Sequence, residues 1–242
     1  MSRTVVIAGA TSASGVAVAT ALAEAGMRVA AVGSSAGRVE PVAALHPQIT
    51  GYACDLADPD AVAGLADAVR ADHGPVDGLI HLVGGWRGGK TLADQSDEDW
   101  DFLHRRVLTT LRNTTRTFDA DIAASDAGRV AIVSAESAGA PTAGGANYAT
   151  AKAAAETWTR AVAQGYDGGR AAAVVLVVKA LVDAGMRAAQ PERRFPGFTD
   201  VEVLGAAAVQ LFELDAAEIN GQRLRLGTSL STDHSSETGV FA

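Results

Sequence analysis

"TVVIAGATSASGVAVATALAEAG" (4–26) decides the fold. Its opening, "TVVIAGA" (4–10), is a run of β-branched and small apolar residues without polar alternation. Such a run suits a strand buried on both faces. Its close, "GVAVATALAEAG" (15–26), suits an alanine-rich helix ended by Gly26. Between them, "AGATSASGVAV" (8–18) turns a strand directly into a helix. Gly9 and Gly15 fit a turn that offers backbone N–H groups to a phosphate at the helix N-terminus, and Thr11, Ser12 and Ser14 add hydroxyls. Taken alone, the same loop also reads as a turn with no ligand.

The strand-then-helix order repeats along the chain. Further strands are expected at 27–35, 48–55, 76–84, 128–135, 171–178 and 222–227. Helices are expected at 59–72, 97–123, 145–165 and 200–213. This alternation predicts an α/β fold: a doubly wound parallel sheet of about seven strands, with helices on both faces and right-handed crossovers. No internal repeat or linker divides the chain, so 1–242 reads as a single domain. The segment 186–200, "MRAAQPERRFPGFTD", reads as a long substrate loop, and 228–242 as a polar tail that is mobile or used in an interface.

Composition narrows the partners. The net charge of −8 argues against nucleic acid and anionic membrane. A single cysteine, Cys54, excludes an intramolecular disulfide and points to a reducing, cytoplasmic setting. No apolar run is long enough to span a membrane. A strand beginning at Thr4 leaves no room for a signal peptide. The five histidines show no metal-ligand spacing, so no metal is expected.

Ligands of open parallel sheets bind beyond the carboxyl ends of the strands. At the second such end, "VGSSAGR" (32–38) lacks the carboxylate that would hold the ribose 2′-hydroxyl of NAD. Ser34, Ser35 and Arg38 instead suit a 2′-phosphate, which favours NADP over NAD. Asp55, after the third strand, either accepts from the adenine amino group or caps the helix near Asp58-Pro59. At the fourth end, "HLVGGWRGGK" (81–90) stops a buried strand at Gly84 and Gly85, where a flat ligand can approach the backbone. Trp86 then offers a stacking wall or covers its own loop. His81 reads as a buried, hydrogen-bonded histidine.

"NYATAKAAAETW" (147–158) places Tyr148 and Lys152 at i and i+4 on one helical face. A nearby ammonium makes a phenol a better proton donor to a developing alkoxide.

A first-strand glycine loop, a glycine break after the fourth strand and Tyr-x-x-x-Lys opening the helix after the fifth together resemble the short-chain dehydrogenase/reductase family over nearly the whole chain. The resemblance implies a Rossmann-type domain, homodimeric or homotetrameric, that transfers hydride between NAD(P) and a carbonyl or imine. Tyr148 is then the proton donor, Lys152 holds the nicotinamide ribose, Gly84, Gly85 and Val182 border the nicotinamide, and 106–118 with the Tyr148 helix pair two subunits. The chain departs from the main branch at the serine position (Ala135, with Ser134 and Ser137 beside it), at the asparagine position (Val107), at Lys179-Ala180 and at Ala184. In strand backbone Ser134 points to the other side of the sheet.

"VGGWRGG" (83–89), the missing serine and "VDAGM" (182–186) are similar to dihydropteridine reductase. That branch implies a planar, conjugated quinonoid, imine or cyclic carbonyl substrate held by Trp86, Tyr148, Ser137 and Lys179. Such a substrate needs less oxyanion help than a ketone. Gly33-Ser34-Ser35 stands where dihydropteridine reductases, which prefer NADH, carry an acidic residue. Lys179 either faces the cofactor or pairs with Asp183. Arg193 and Arg194 either grip an acidic group or form a solvated loop. Two rivals share the scaffold: a non-redox cyclase, dehydratase or isomerase, and a silent nucleotide sensor that would have no need of the Tyr148-Lys152 pair.

Overall fold

The computed structural model describes residues 2–229, 240 and 241. Its main strands are β1 (Thr4–Ala8), β2 (Arg28–Gly33), β3 (Ile49–Ala53), β4 (Gly78–His81), β5 (Arg129–Ala135) and β6 (Ala172–Val178). A short pair, β7 (Leu181–Val182) and β8 (Thr199–Asp200), follows, and β9 (Arg223–Arg225) closes the sheet. Seven strands lie parallel in the order β3-β2-β1-β4-β5-β6-β9, as the alternation predicts. The helices are α1 (Ala13–Glu24), α2 (Ala36–Ala43), α3 (Pro59–His73), α4 (Asp97–Leu103), α5 (Thr110–Ala124), α6 (Ala146–Gly165), α7 (Ala184–Ala189), α8 (Val201–Gln210) and α9 (Ala216–Ile219).

The unbroken apolar strands are explained by burial on both sides. Val5 and Ile7 of β1 pack with α1 and α8, while Val6 and Ala8 pack with α3 and α5. A third cluster joins α4 and α6 to Ile132, Val175 and Val177. α3 starts where Asp58, not Asp55, caps it: the Asp58 carboxylate accepts from the N–H groups of Asp60 and Ala61, and Pro59 occupies a position that needs no donor.

β1 has β2 on one side and β4 on the other, so the chain leaves β1 in one direction and returns at β4 in the other. That reversal opens a crevice at the carboxyl ends of these strands. Gly9 sits at its base with φ +90°, and a Cβ there would lie 3.1 Å from the Leu82–Val83 backbone. The backbone of Gly9 and Ala10 donates to Val32 O, fixing the loop against β2.

The structure differs from expectation in four places. α2 was not expected, because Pro41 lies inside it and only Val39 and Val42 give it an apolar side. The helix expected at 97–123 carries a π-helical segment at His104–Thr109 between α4 and α5. The expected loop 186–200 holds the end of α7 and the strand β8. Of the expected tail, 230–239 (with His234) and 242 lie outside the described residues; Phe241 forms an antiparallel bridge to Leu226, and Val240 O accepts from Gly227 N. Among the described residues no helix is long and apolar enough to cross a membrane.

Candidate active site

A cavity of about 1310 Å³ occupies the crevice. Each loop leaving the carboxyl end of a central strand contributes to its wall. Gly9, Thr11, Ser12 and Ser14 come from the loop after β1, Ser34 and Arg38 from after β2, and Asp55 from after β3. Gly84, Gly85 and Trp86 follow β4, Ser137 follows β5, and Lys179 follows β6; Tyr148 and Lys152 project from α6. These residues are far apart in sequence and share one wall because the sheet is parallel.

Three expected residues do not line it. Gly15 is buried within α1, where a Cβ would lie 2.4 Å from Gly9 O; its role is to let the helix start close under the loop, and its N–H donates to Ser12 Oγ at 3.0 Å. Ser35 occupies the N-cap position of α2 and is turned to solvent rather than to the cavity. Val182 is fully buried in β7, and the cavity is lined instead by Ala180 and Leu181. The strand alternation that hides Val182 could not be read from a two-residue strand.

At one end of the cavity, Ser12 Oγ donates to Gly9 O and lies 3.1 Å from Ser14 Oγ, so the loop's hydroxyls are gathered at the start of α1. Arg38 is exposed on the first turn of α2 and has no carboxylate partner among the described residues. Asp55 is held by Arg105 at 2.7 Å and by the N–H of Ala57. Cys54 also lines the wall, but burial pushes its thiol up to about 11, which leaves it protonated and unreactive.

The other end is built on α6. Tyr148, Lys152 and Glu156 recur every four residues along one helical face. Lys152 donates to Val133 O at 2.8 Å, and its burial lowers its pKa to about 8, against the opposing charge of Glu156. Its ammonium lies 5.8 Å from the Tyr148 ring centre. Burial raises the Tyr148 pKa, so the phenol is protonated at neutral pH and available as a donor. The lowering of that pKa expected from Lys152 is not seen; burial alone moves it, upward.

Glu156 was not singled out from the sequence, although its i+4 spacing from Lys152 signals it. It is buried, accepts from Ser134 Oγ at 2.6 Å, and pairs with Arg223 at 3.0 Å. Ser134 is therefore committed to α6 and gives no hydroxyl in place of Ala135. Ser137, in the short turn Glu136–Ala138, is the hydroxyl of that segment on the cavity wall. Val107 is buried inside the π-helical segment and presents nothing polar.

His81 is buried, and Thr110 Oγ1 lies 3.1 Å from its Nε2. Thr110 donates its only proton to Arg106 O at 2.6 Å, so His81 Nε2 is the donor of the pair. Burial and the Lys152 charge lower the His81 pKa to about 3, so the ring is neutral.

Trp86 is 63% exposed on the cavity rim. Below it, Phe102 packs so close to Gly85 that a Cβ there would lie 2.9 Å from the ring. Arg87 and Arg106 lie 4.0 and 5.1 Å from the centre of that ring. Lys179 lines the cavity and donates to Pro196 O at 2.9 Å; it does not pair with Asp183, whose carboxylate caps α7. Arg193 stacks on Phe195 and Phe198 within the loop and is absent from the wall. Arg194 is likewise absent from the wall. Among the described residues no group of three His, Cys, Asp or Glu side chains could hold a metal.

Known proteins resemble this chain in sequence and in fold. Residues 3–194 match the family described as short chain dehydrogenase. The chain is 29% identical over 158 residues to 2,3-dihydro-2,3-dihydroxybenzoate dehydrogenase of Bacillus subtilis (strain 168), covering 64% of this chain and 60% of that one. It is 37% identical over 103 residues to D-threitol dehydrogenase of Mycolicibacterium smegmatis, covering 41% and 39%. The matches thus span less than two thirds of these relatives. Among solved structures, NAD+-bound xylitol dehydrogenase superposes with a TM-score of 0.82 at 18% identity over 93% of this chain and 98% of that one. A gluconate 5-dehydrogenase from Burkholderia cenocepacia J2315, in complex with NADP and tartrate, superposes at 0.80 with 21% identity, over 93% and 94%. At these identities the structural likeness concerns the fold.

Proposed function

The chain belongs to the short-chain dehydrogenase family, and from that premise we propose that it is an NADPH-dependent reductase of a carbonyl, imine or quinonoid small molecule. The observation that carries this reading is the single cavity that joins the α1 glycine loop to Tyr148 and Lys152. The residues fit the cofactor. Gly9, at φ +90°, lines the cavity beside the start of α1, which would present N–H groups and hydroxyls to a pyrophosphate, and Ser34 and Arg38 stand where a 2′-phosphate would lie. Asp55 would border the adenine, and Gly84 and Gly85 the nicotinamide. Bound NADPH supplies the hydride.

The protein's part is protonation and alignment. Tyr148 gives its phenolic proton to the substrate oxygen or nitrogen as negative charge develops there. Lys152 holds the ribose and stabilises the resulting phenolate. Ser137 offers a second donor near the vacated position of Ala135. Trp86 covers a planar substrate, as in the dihydropteridine reductase branch that the Gly-Gly-Trp stretch resembles. The whole chain acts as one cofactor-binding unit. An apolar groove between His104, Leu108, Arg112 and Trp158 suits the pairing of two copies into a homodimer or homotetramer.

The experiment is an assay of NADPH and NADH oxidation over a panel of quinones, cyclic ketones and imines, repeated with Arg38→Ser. Loss of one charge-assisted contact should weaken NADPH by about 10- to 100-fold and leave NADH unchanged. Equal NADPH affinity in the variant would refute the 2′-phosphate role.

The pH profile follows from Lys152. Its folded pKa, about 8, is below its ordinary value, so the ammonium is lost as pH rises through about 8. Tyr148 stays protonated there. The kcat/KM for NADPH, which reports the free enzyme, should fall above pH ~8. The limb in kcat should lie at higher pH, because bound phosphates favour the ammonium. A flat profile across this range would exclude Lys152 as the charged partner.

A further inference from the structure

We propose that the substrate carries an oxyanion substituent, bound by Lys90, Arg106 and Lys179 beside Tyr148. The inference rests on the reductase reading only in making the anion part of the substrate.

The chain as a whole has 20 basic and 28 acidic side chains. Among the described residues that line the cavity the balance is reversed. Arg38, Lys90, Arg105, Arg106, Lys152 and Lys179 face a single carboxylate, Asp55. Three of the six have tasks already. Arg38 stands at the 2′-phosphate position, Arg105 is paired with Asp55 at 2.7 Å, and Lys152 is buried against Val133 O and Glu156. Lys90, Arg106 and Lys179 remain.

These three line the same cavity as Tyr148. Lys179 follows β6. Lys90 ends the loop after β4, and the N–H of neighbouring Gly89 donates to Gly144 O in the turn that leads into α6. The Lys90 backbone is itself pinned by Asp94, whose carboxylate accepts from the N–H groups of Lys90 and Thr91 at 2.8 Å. Arg106 lies on Phe102, which abuts Gly85. Among the described residues none of the three has a carboxylate in reach, whereas adjoining Arg87 pairs with Asp99 at 3.4 Å.

Unpaired cations lining one concave site repel one another. That arrangement stabilises an anion when it enters and raises the local concentration of anionic ligands. Lys179 keeps two protons free after donating to Pro196 O. Exposed Trp86 and half-buried Phe102 line the same cavity, so a planar ring bearing the oxyanion would meet aromatic surface there.

The test is a calorimetric or fluorescence titration of the full chain, with and without NADP+, using benzoate, phenyl phosphate and neutral benzamide. Benzoate or phenyl phosphate is expected to bind at least ~10-fold more tightly than benzamide. The anion that binds more tightly distinguishes a carboxylate from a phosphate substituent. Lys90→Met and Arg106→Met should each shrink that preference, and the two together should abolish it. Circular dichroism and the thermal midpoint check that the variants fold. Equal binding of benzamide, no binding of either anion, or variants that keep the preference would overturn the inference. Because no hydride transfer is read, the two readings fail separately. Anion binding without NADPH oxidation would sink only the reductase reading. NADPH oxidation with no preference for anions would sink only this one.

Discussion

Tyr148→Phe lowers kcat about 10²- to 10⁴-fold while NADPH affinity and the fold are kept. The phenylalanine ring fills the same space on α6, where Tyr148 makes no side-chain hydrogen bond that the fold depends on among the described residues. What is removed is the proton that the buried phenol holds at neutral pH. Steady-state NADPH oxidation with the best substrate of the panel checks this. Full activity in the variant would move the proton donor elsewhere, to another hydroxyl of the wall such as Ser137. The rival reading of a non-redox enzyme predicts the same loss of turnover, but without consumption of NADPH by the unaltered protein.

The largest expected loss of stability lies at the opposite end of the sheet. Arg129 opens β5 and is 3% exposed. Its guanidinium donates to four carbonyls: Leu211 at 2.6 Å, Leu214 at 2.7 Å, Gly128 at 2.8 Å and Arg170 at 3.0 Å. It thereby ties β5 to the end of α8 and to the segment entering β6. No carboxylate pairs with it among the described residues, and burial lowers its pKa. Arg129→Met fills most of the volume and takes the donor from Leu211 O, Leu214 O and Arg170 O, whereas Gly128 O keeps the N–H of Ala172. Each buried acceptor left without a partner costs about 1–3 kcal/mol, and partial access of water reduces the sum. A net loss of about 3–5 kcal/mol is expected, comparable to breaking a buried charge's contacts. For a chain of this size that lowers Tm by roughly 10 °C. NADPH affinity at 25 °C should be unchanged, since the cavity is at the other end of the strands. Thermal unfolding of both proteins checks this, and an unaltered midpoint would contradict it.

The fold was legible because burial on both faces writes itself into sequence. "TVVIA" and "AAVVLVV" have no polar alternation, and each proved to be buried throughout. The glycine loop and the Tyr148-Lys152 spacing were legible for the same local reason: a turn and a helical face are each set within a few residues. The residues expected after the strands line one cavity, with the exceptions below, since parallel strands deliver their ends to one crevice. Less legible were features set by distant partners. Val182 was expected on the wall, but a two-residue strand turns it inward. Ser35 was expected beside Arg38, but the unexpected start of α2 turns it to solvent. Gly15 was read as a ligand contact and is a packing glycine. Glu156 was passed over because its partners, Ser134 and Arg223, are 22 and 67 residues away. The π-helical segment at His104–Thr109 left no mark in the periodicity, and it is where Arg105 and Arg106, consecutive residues, both reach the cavity. Desolvation of Tyr148 likewise depends on packing that no i, i+4 spacing encodes.

The central claim is that this cavity binds a nicotinamide cofactor through its phosphates. Calorimetric titration of the full chain with NADPH, and then with NADH, tests it most directly. The account predicts micromolar binding of NADPH, about −8 kcal/mol, with NADH weaker by an order of magnitude or more. Heat from neither cofactor would contradict it and would leave Tyr148, Lys179 and Trp86 as parts of a non-redox site.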